Sequence, residues 1–206
     1  MRLAMAILVL DVDGVVVKGH PEGGRWDKNL ERDLGLNPQR LQERFFRPHW
    51  KEITCGRVPM RDVLEQVWPQ LHCDAKPDDL IAYWLKMDSR TDPETLAHVA
   101  VWREAGGKAF LGTVQEHMRA RYLMEELGLN RWFDGMLYSA ELGAAKPDAE
   151  FFTRAQAKLP VSDPTEVIFL DDQQNCVDGA NAFGWQATRF LTADDISAAL
   201  ARADKG

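Results

Sequence analysis

Seven positions in this 206-residue sequence carry residue types that could do chemistry together. Asp11-Val12-Asp13-Gly14 places two carboxylates two residues apart, followed by a glycine that lets the chain turn sharply. Thr113-Val114 offers a hydroxyl and backbone N–H groups, Lys146 a compact positive charge, and Asp171-Asp172 a second acidic pair. Such a set suits phosphoryl transfer. A phosphate monoester is a dianion and repels a carboxylate nucleophile, so a divalent cation and an ammonium must offset the repulsion. Asp11 and Asp172 suit the oxygen demand of Mg²⁺. Lys146, the Thr113 hydroxyl and the N–H groups near Val12 and Val114 can receive the phosphate oxygens. Asp11 is the expected nucleophile. Asp13 is placed to protonate the leaving alcohol and then to deprotonate the attacking water.

Each of these residues alone has an ordinary structural reading. A Thr at a strand end, a Lys-Pro in a loop and a solvated Asp-Asp turn are all common. An EF-hand starting at Asp11 would put Glu22 at its twelfth position, but its obligatory glycine would then fall on Val16. What sets the group apart is its placement. Ala6–Leu10, Lys108–Thr113, Met136–Ser139 and Val167–Leu170 read as strands, and the polar residues follow four strand ends. Gln186–Phe190 reads as a fifth strand. Helices are predicted between them, over Gln115–Leu127, Pro147–Leu159 and Asn175–Phe183. Thr91-Asp92-Pro93-Glu94 has the form of a capping box, and Thr192 with Asp195 caps a terminal helix. The alternation implies an α/β fold with a doubly wound, Rossmann-like parallel sheet, in which ligands bind beyond the carboxyl ends of the strands. Residues 18–90 differ, showing helices from Asn37-Pro38 to Phe46, over Pro59–Trp68 and from Pro77, with no convincing strand. The expected division is a core of residues 1–17 and 91–206 and an inserted helical subdomain over 18–90.

The motifs resemble those of the haloacid dehalogenase superfamily hydrolases, in particular a helical-cap, phosphatase-like subgroup. The resemblance rests on Asp11-Val12-Asp13-Gly14-Val15, the apolar strand ending in Thr113, Lys146-Pro147-Asp148 before Phe151-Phe152, and Val167-Ile168-Phe169-Leu170-Asp171-Asp172. It implies that the backbone carbonyl of Asp13 also ligates Mg²⁺, that Asp172 is the direct carboxylate ligand and that Asp171 lies in the outer shell. It also implies that residues 18–90 are the family's cap. Related sequences often carry Asn where this one has Val114, so a side-chain contact to substrate is lost there. The family's dehalogenases lack the second aspartate, so Asp13 favours phosphoryl transfer over carbon–halogen cleavage.

The expected activity is therefore hydrolysis of a small phosphorylated metabolite, such as a sugar phosphate, through an aspartyl-phosphate. A phosphomutase shares the motifs and stays open, as does a non-catalytic phosphate-binding module. His20, Arg25, Trp26, His49, Trp50 and Arg57 are candidates for substrate contact, with a solvated surface role as the default. A net charge of −7 argues against a nucleic-acid partner. The apolar run Leu3–Leu10 ends in acid without a cleavage site and is too short for a bilayer, so no membrane partner is expected. Three scattered cysteines suit reduced thiols in a cytoplasmic protein. Monomer and homodimer both stay open.

Overall fold

The computed structural model describes residues 6–203; Leu3–Met5 of the first apolar run lie outside that range. Five parallel strands form one sheet in the order β3-β2-β1-β4-β5: β1 (Ile7–Leu10), β2 (Lys108–Thr113), β3 (Gly135–Tyr138), β4 (Val167–Asp171) and β5 (Gln186–Arg189). The order reverses at β1, which pairs with β2 on one side and β4 on the other. A crevice opens beyond the carboxyl ends at such a reversal, and there the chain presents Asp11, Thr113 and Asp171.

Strand residues alternate between the two faces of the sheet, and two apolar layers follow from that alternation. Leu8, Leu10, Ala109, Leu111, Ile168 and Leu170 face α6 (Pro93–Glu104), through Leu96, Val99 and Trp102, and α11 (Asp194–Ala203), through Ile196 and Ala199. Ile7, Val9, Val167 and Phe169 face the opposite layer. That layer holds Leu142 of α8 (Ser139–Leu142), Phe151 and Phe152 of α9 (Ala149–Gln156) and Ala180 of α10 (Gln174–Phe183). β1 is buried throughout because helices cover both faces.

Between β1 and α6 the chain is helical: α1 (Leu30–Leu34), α2 (Pro38–Leu41), α3 (Arg47–Thr54), α4 (Met60–Val67) and α5 (Pro77–Met87). This block has its own apolar cluster, including Leu30, Phe45, Ile53, Leu64, Leu80 and Trp84. Two adjacent crossings join it to the sheet. Lys18 N–H donates to Arg90 O at 2.7 Å and Arg90 N–H to Gly19 O at 3.1 Å. The Arg90 guanidinium also donates to the carbonyls of His20 and Lys18.

Several boundaries differ from expectation. Helical structure from Asn37 does not stop at Phe46. A π-helical stretch over Gln42–Phe46 runs into α3, so Pro48 falls in the first turn of a new α segment, where its missing N–H costs least. α1 and α8 are too short for the hydrophobic period to show. The N-cap of α6 is Asp92, not Thr91; its carboxylate accepts from Glu94 N–H at 3.2 Å. The helix predicted from Gln115 starts at His117 as α7 (His117–Arg121), because Glu116 caps it by accepting from Met118 N–H and Arg119 N–H. Gln115 is thereby left outside the helix, with consequences for the site.

Candidate active site

After β1 the backbone turns back on itself. The Val12 carbonyl accepts from the N–H groups of Val15, Val16 and Val17, and Asp11 N–H donates to Leu170 O of β4 at 2.9 Å. This turn holds the Asp11 side chain nearly buried, at 7% exposure. Its Oδ1 accepts from Val12 N–H at 2.7 Å and lies 3.0 Å from Lys146 Nζ. Lys146 comes from the segment between α8 and α9. Gly179 of α10 lets the helix close on that segment, since a Cβ there would stand 2.6 Å from Pro147 O.

The Lys146 ammonium also donates to Asp171 Oδ2 at 2.5 Å and sits over the Phe169 ring at 5.2 Å. One ammonium therefore serves two carboxylates. Burial raises the Asp11 carboxyl to about 7, against the opposing pull of Lys146 and with the help of the Asp171 charge. Burial alone would push Lys146 down, but the charges of Asp11 and Asp171 outweigh it and hold the ammonium above its ordinary value.

Asp11, Asp171 and Asp172 each bring a carboxylate oxygen within 4.8 Å of the others. Asp171 is spoken for on both oxygens, Oδ2 by Lys146 and Oδ1 by Gln173 N–H at 2.8 Å. Asp172 is not: its buried Oδ1 has no hydrogen-bond partner among the described residues. Burial, followed by the Asp171 charge, raises the Asp172 carboxyl. An orphaned buried oxygen beside two further acids fits a hard divalent cation such as Mg²⁺. The space beside it is kept by Gly14, whose φ is +82° and where a Cβ would stand 2.4 Å from Asp172 Oδ2.

Asp13 lies apart from this cluster. Its carboxylate is half exposed and is gripped by the Arg119 fork, Nη1 to Oδ2 at 3.0 Å and Nη2 to Oδ1 at 2.8 Å. Gln115 Nε2 donates to the same Oδ2 at 2.6 Å. Only its backbone carbonyl is left for the metal role the resemblance implies. Arg119 is 2% exposed and also reaches Asp88 at the end of α5, with Nη2 3.0 Å from Oδ2 and 3.1 Å from the backbone oxygen. Its guanidinium stands 5.5 Å from the centre of the Trp84 ring. Burial opposes the charge of Arg119, but Asp13 and Asp88 together hold it above its ordinary value. Asp88 itself is raised, since burial exceeds what its share of one guanidinium returns.

Thr113 is buried at the end of β2, and among the described residues its hydroxyl has only a long 3.4 Å contact from Gln115 Nε2. Val114 lines a cavity of about 300 Å³ between the helical block and the sheet, together with Asp13, Gln115 and Arg119. Among the substrate-contact candidates, Arg25, Trp26 and Trp50 line this cavity. His20 and Arg57 do not. His20 is buried and accepts from Glu22 N–H through Nδ1, and Arg57 pairs with Glu52 at 2.5 Å on the surface. His49 is not among the lining residues either.

Gln115, Arg119 and Asp88 are the site residues that sequence reasoning missed. One signal pointed to Arg119, which precedes buried Leu123 by one helical repeat and so falls on the apolar stripe.

Solved structures share this fold. A HAD family enzyme from Bacteroides thetaiotaomicron, solved with magnesium and inorganic phosphate, superposes with a TM-score of 0.75 over 90% of this chain and 94% of that one, at 18% identity. A predicted HAD-like family hydrolase from Porphyromonas gingivalis gives 0.73 over 98% of both chains at 17% identity. L-2-haloacid dehalogenase from Xanthobacter autotrophicus gives 0.65 over 96% and 81% at 20% identity. A search of curated proteins finds no significant match. Among the described residues no helix is long and apolar enough to cross a membrane. The family model for haloacid dehalogenase-like hydrolases matches residues 5–184, the span that carries both acidic pairs, Thr113 and Lys146, and the chain belongs to that family.

Proposed function

We propose that this hydrolase is a Mg²⁺-dependent phosphatase of small phosphorylated metabolites, with residues 1–17 and 91–206 as catalytic core and 18–90 as a cap over the site. The observation that carries the reading is the convergence of Asp11, Lys146, Asp171 and Asp172 with one buried carboxylate oxygen of Asp172 left unpartnered. Asp172 and Asp11 would hold the metal, with the Asp13 backbone carbonyl, and Asp171 would orient Lys146 from outside. When bound, Mg²⁺ supplies positive charge against the phosphate dianion.

The chain's own residues do the rest. Lys146 and the Thr113 hydroxyl receive phosphoryl oxygens. Val12 N–H and Lys146 hold Asp11 Oδ1, which aims the carboxylate. Asp11 attacks phosphorus, the bond to the ester oxygen breaks, and Asp13 gives that oxygen its proton. Water then attacks the aspartyl-phosphate, Asp13 takes a proton from it, and phosphate leaves with Asp11 restored. In this conformation the Asp13 carboxylate is held by Arg119 and Gln115, so a shift of those partners accompanies the proton transfers. The paired crossings at Val17–His20 and Lys86–Asp92 would be the hinge that opens for product release.

The second aspartate supports phosphoryl transfer over carbon–halogen cleavage. The test is phosphate release from an aryl phosphate and a panel of phosphorylated metabolites, with Mg²⁺ and with EDTA. Turnover should require Mg²⁺ and Asp11. A wild-type rate no higher than that of Asp11→Asn across the whole panel overturns the proposal. Free phosphate as the product, with no isomer, separates hydrolysis from a mutase.

A further inference from the structure

The cavity beside Asp13 has an unusual wall for a site expected to take sugar phosphates. Four aromatic side chains of the helical block make it, each in contact with the next. Trp26 and Phe46 have ring centres 6.2 Å apart, Phe46 and Trp50 5.0 Å, Trp50 and Trp84 5.7 Å, and Trp84 and Trp26 6.3 Å, closing the circuit. All four line the cavity. Edge-to-face packing at three of these contacts, with Trp84 and Trp26 tilted at 53°, fixes their orientation, so the wall is preorganised.

The charges around the cavity narrow the occupant further. Its two cations are already matched. Arg119 holds Asp13 and Asp88, and Arg25 holds Asp27 through Nε at 2.9 Å and Nη2 at 2.8 Å. Three lining acids against two lining arginines leave no positive charge for a second anionic group. Seven of the fourteen lining residues are polar, but six of them, Asp13, Arg25, Asp27, Asp88, Gln115 and Arg119, are already paired with one another. A sugar would bury several hydroxyls against aromatic faces and would have to compete with these pairs for its partners, which is unfavourable. At about 300 Å³ the space is at the small end of ligand sites.

Resting on the phosphatase reading above, we propose that the cavity selects phosphate monoesters of a neutral alcohol carrying one flat aromatic ring system. Trp26, Phe46, Trp50 and Trp84 are its specificity residues. The preference is set in binding of the organic group, and polyol phosphates and esters with a second acidic group are discriminated against.

The experiment compares benzyl phosphate, glucose 6-phosphate and 3-phosphoglycerate, all esters of primary alcohols, with acetyl phosphate as a small probe of the phosphoryl chemistry alone. The expected kcat/KM for benzyl phosphate exceeds that for glucose 6-phosphate by on the order of tenfold or more, mainly through KM, with 3-phosphoglycerate poorest. Trp50→Ala should raise KM for benzyl phosphate by about tenfold while moving that for glucose 6-phosphate much less. Trp26→Ala, outside any helix, gives the same reading if Trp50→Ala fails to fold. If acetyl phosphate is hydrolysed but glucose 6-phosphate or 3-phosphoglycerate matches benzyl phosphate, the ring preference is wrong and the phosphatase reading stands. If none of the four is hydrolysed faster than by Asp11→Asn, both fall.

Discussion

Replacing Asp11, the proposed nucleophile, should make the metal-free protein more stable, not less. In Asp11→Asn the amide oxygen can still accept from Val12 N–H, which lies 2.7 Å from Oδ1 in the parent. What disappears is one of two buried carboxylates competing for the single Lys146 ammonium, leaving a matched pair with Asp171. Burial raises the Asp11 carboxyl from 3.8 to about 7 in the folded protein. Below about 3.8 the group is protonated in both states. Between 3.8 and 7 only the unfolded chain has released the proton, so stability falls as pH rises, and above about 7 the fall is complete. A gap of about three pH units at about 1.4 kcal/mol each sets a ceiling near 4 kcal/mol. Relaxation around the charge brings the expected gain to about 1–3 kcal/mol. Urea denaturation in EDTA at pH 5, 6, 7 and 8 reads it directly. The two proteins should draw apart as pH rises, with the variant more stable at pH 8. Added Mg²⁺ should stabilise the wild type more than the variant if, as proposed, the cation binds an ionised Asp11. A variant less stable than wild type at pH 8 in EDTA would refute the claim that this carboxylate is a buried, under-compensated charge.

Three other substitutions probe the rest of the site. Lys146→Met strands Asp11 and Asp171 without a counter-ion and should cost about 3–5 kcal/mol of stability together with activity, read by denaturation and turnover. Gly14→Ala drives a Cβ against Asp172 Oδ2 at a backbone angle unsuited to alanine, and should weaken Mg²⁺ binding by about tenfold or more in a calorimetric titration. Asp13→Asn should lower kcat by roughly 10²–10⁴ for alkyl phosphates, whose leaving group needs a proton, and less for acyl phosphates. Wild-type turnover of an alkyl phosphate by Asp13→Asn would remove that residue from proton transfer.

The parts of this site that sequence reasoning reached are those tied to strand ends. Asp11, Thr113 and Asp171 each close or follow a buried apolar run, and a parallel sheet brings such ends together whatever the loops between them do. Arg119 and Asp88 depend instead on the packing of the helical block against the sheet. One lies in a helix beside the exposed Arg121, the other in an ordinary Lys-Met-Asp-Ser helix exit. Nothing local separates a buried arginine from its solvated neighbour except helical phase, and the five residues of α7 are too few for that phase to show. The π-helical stretches over Gln42–Phe46 and Tyr122–Glu126 shift the phase again, because each changes the residues per turn. The tryptophans illustrate the same limit. Trp26 and Trp50 lie far apart in sequence, and only the folded block puts both on one cavity wall.

The central claim is that Asp11 itself becomes phosphorylated. Acid-quenched Asp13→Asn protein can be digested and mapped by mass spectrometry after brief exposure to Mg²⁺ and acetyl phosphate, whose leaving group needs no proton, so that slowed water attack lets the intermediate build up. A single phosphoryl group on the peptide that contains Asp11, absent in the Asp11→Asn/Asp13→Asn double variant, is the predicted result. Turnover with the phosphoryl group on another residue, or with none on the protein at any quench time, would contradict it.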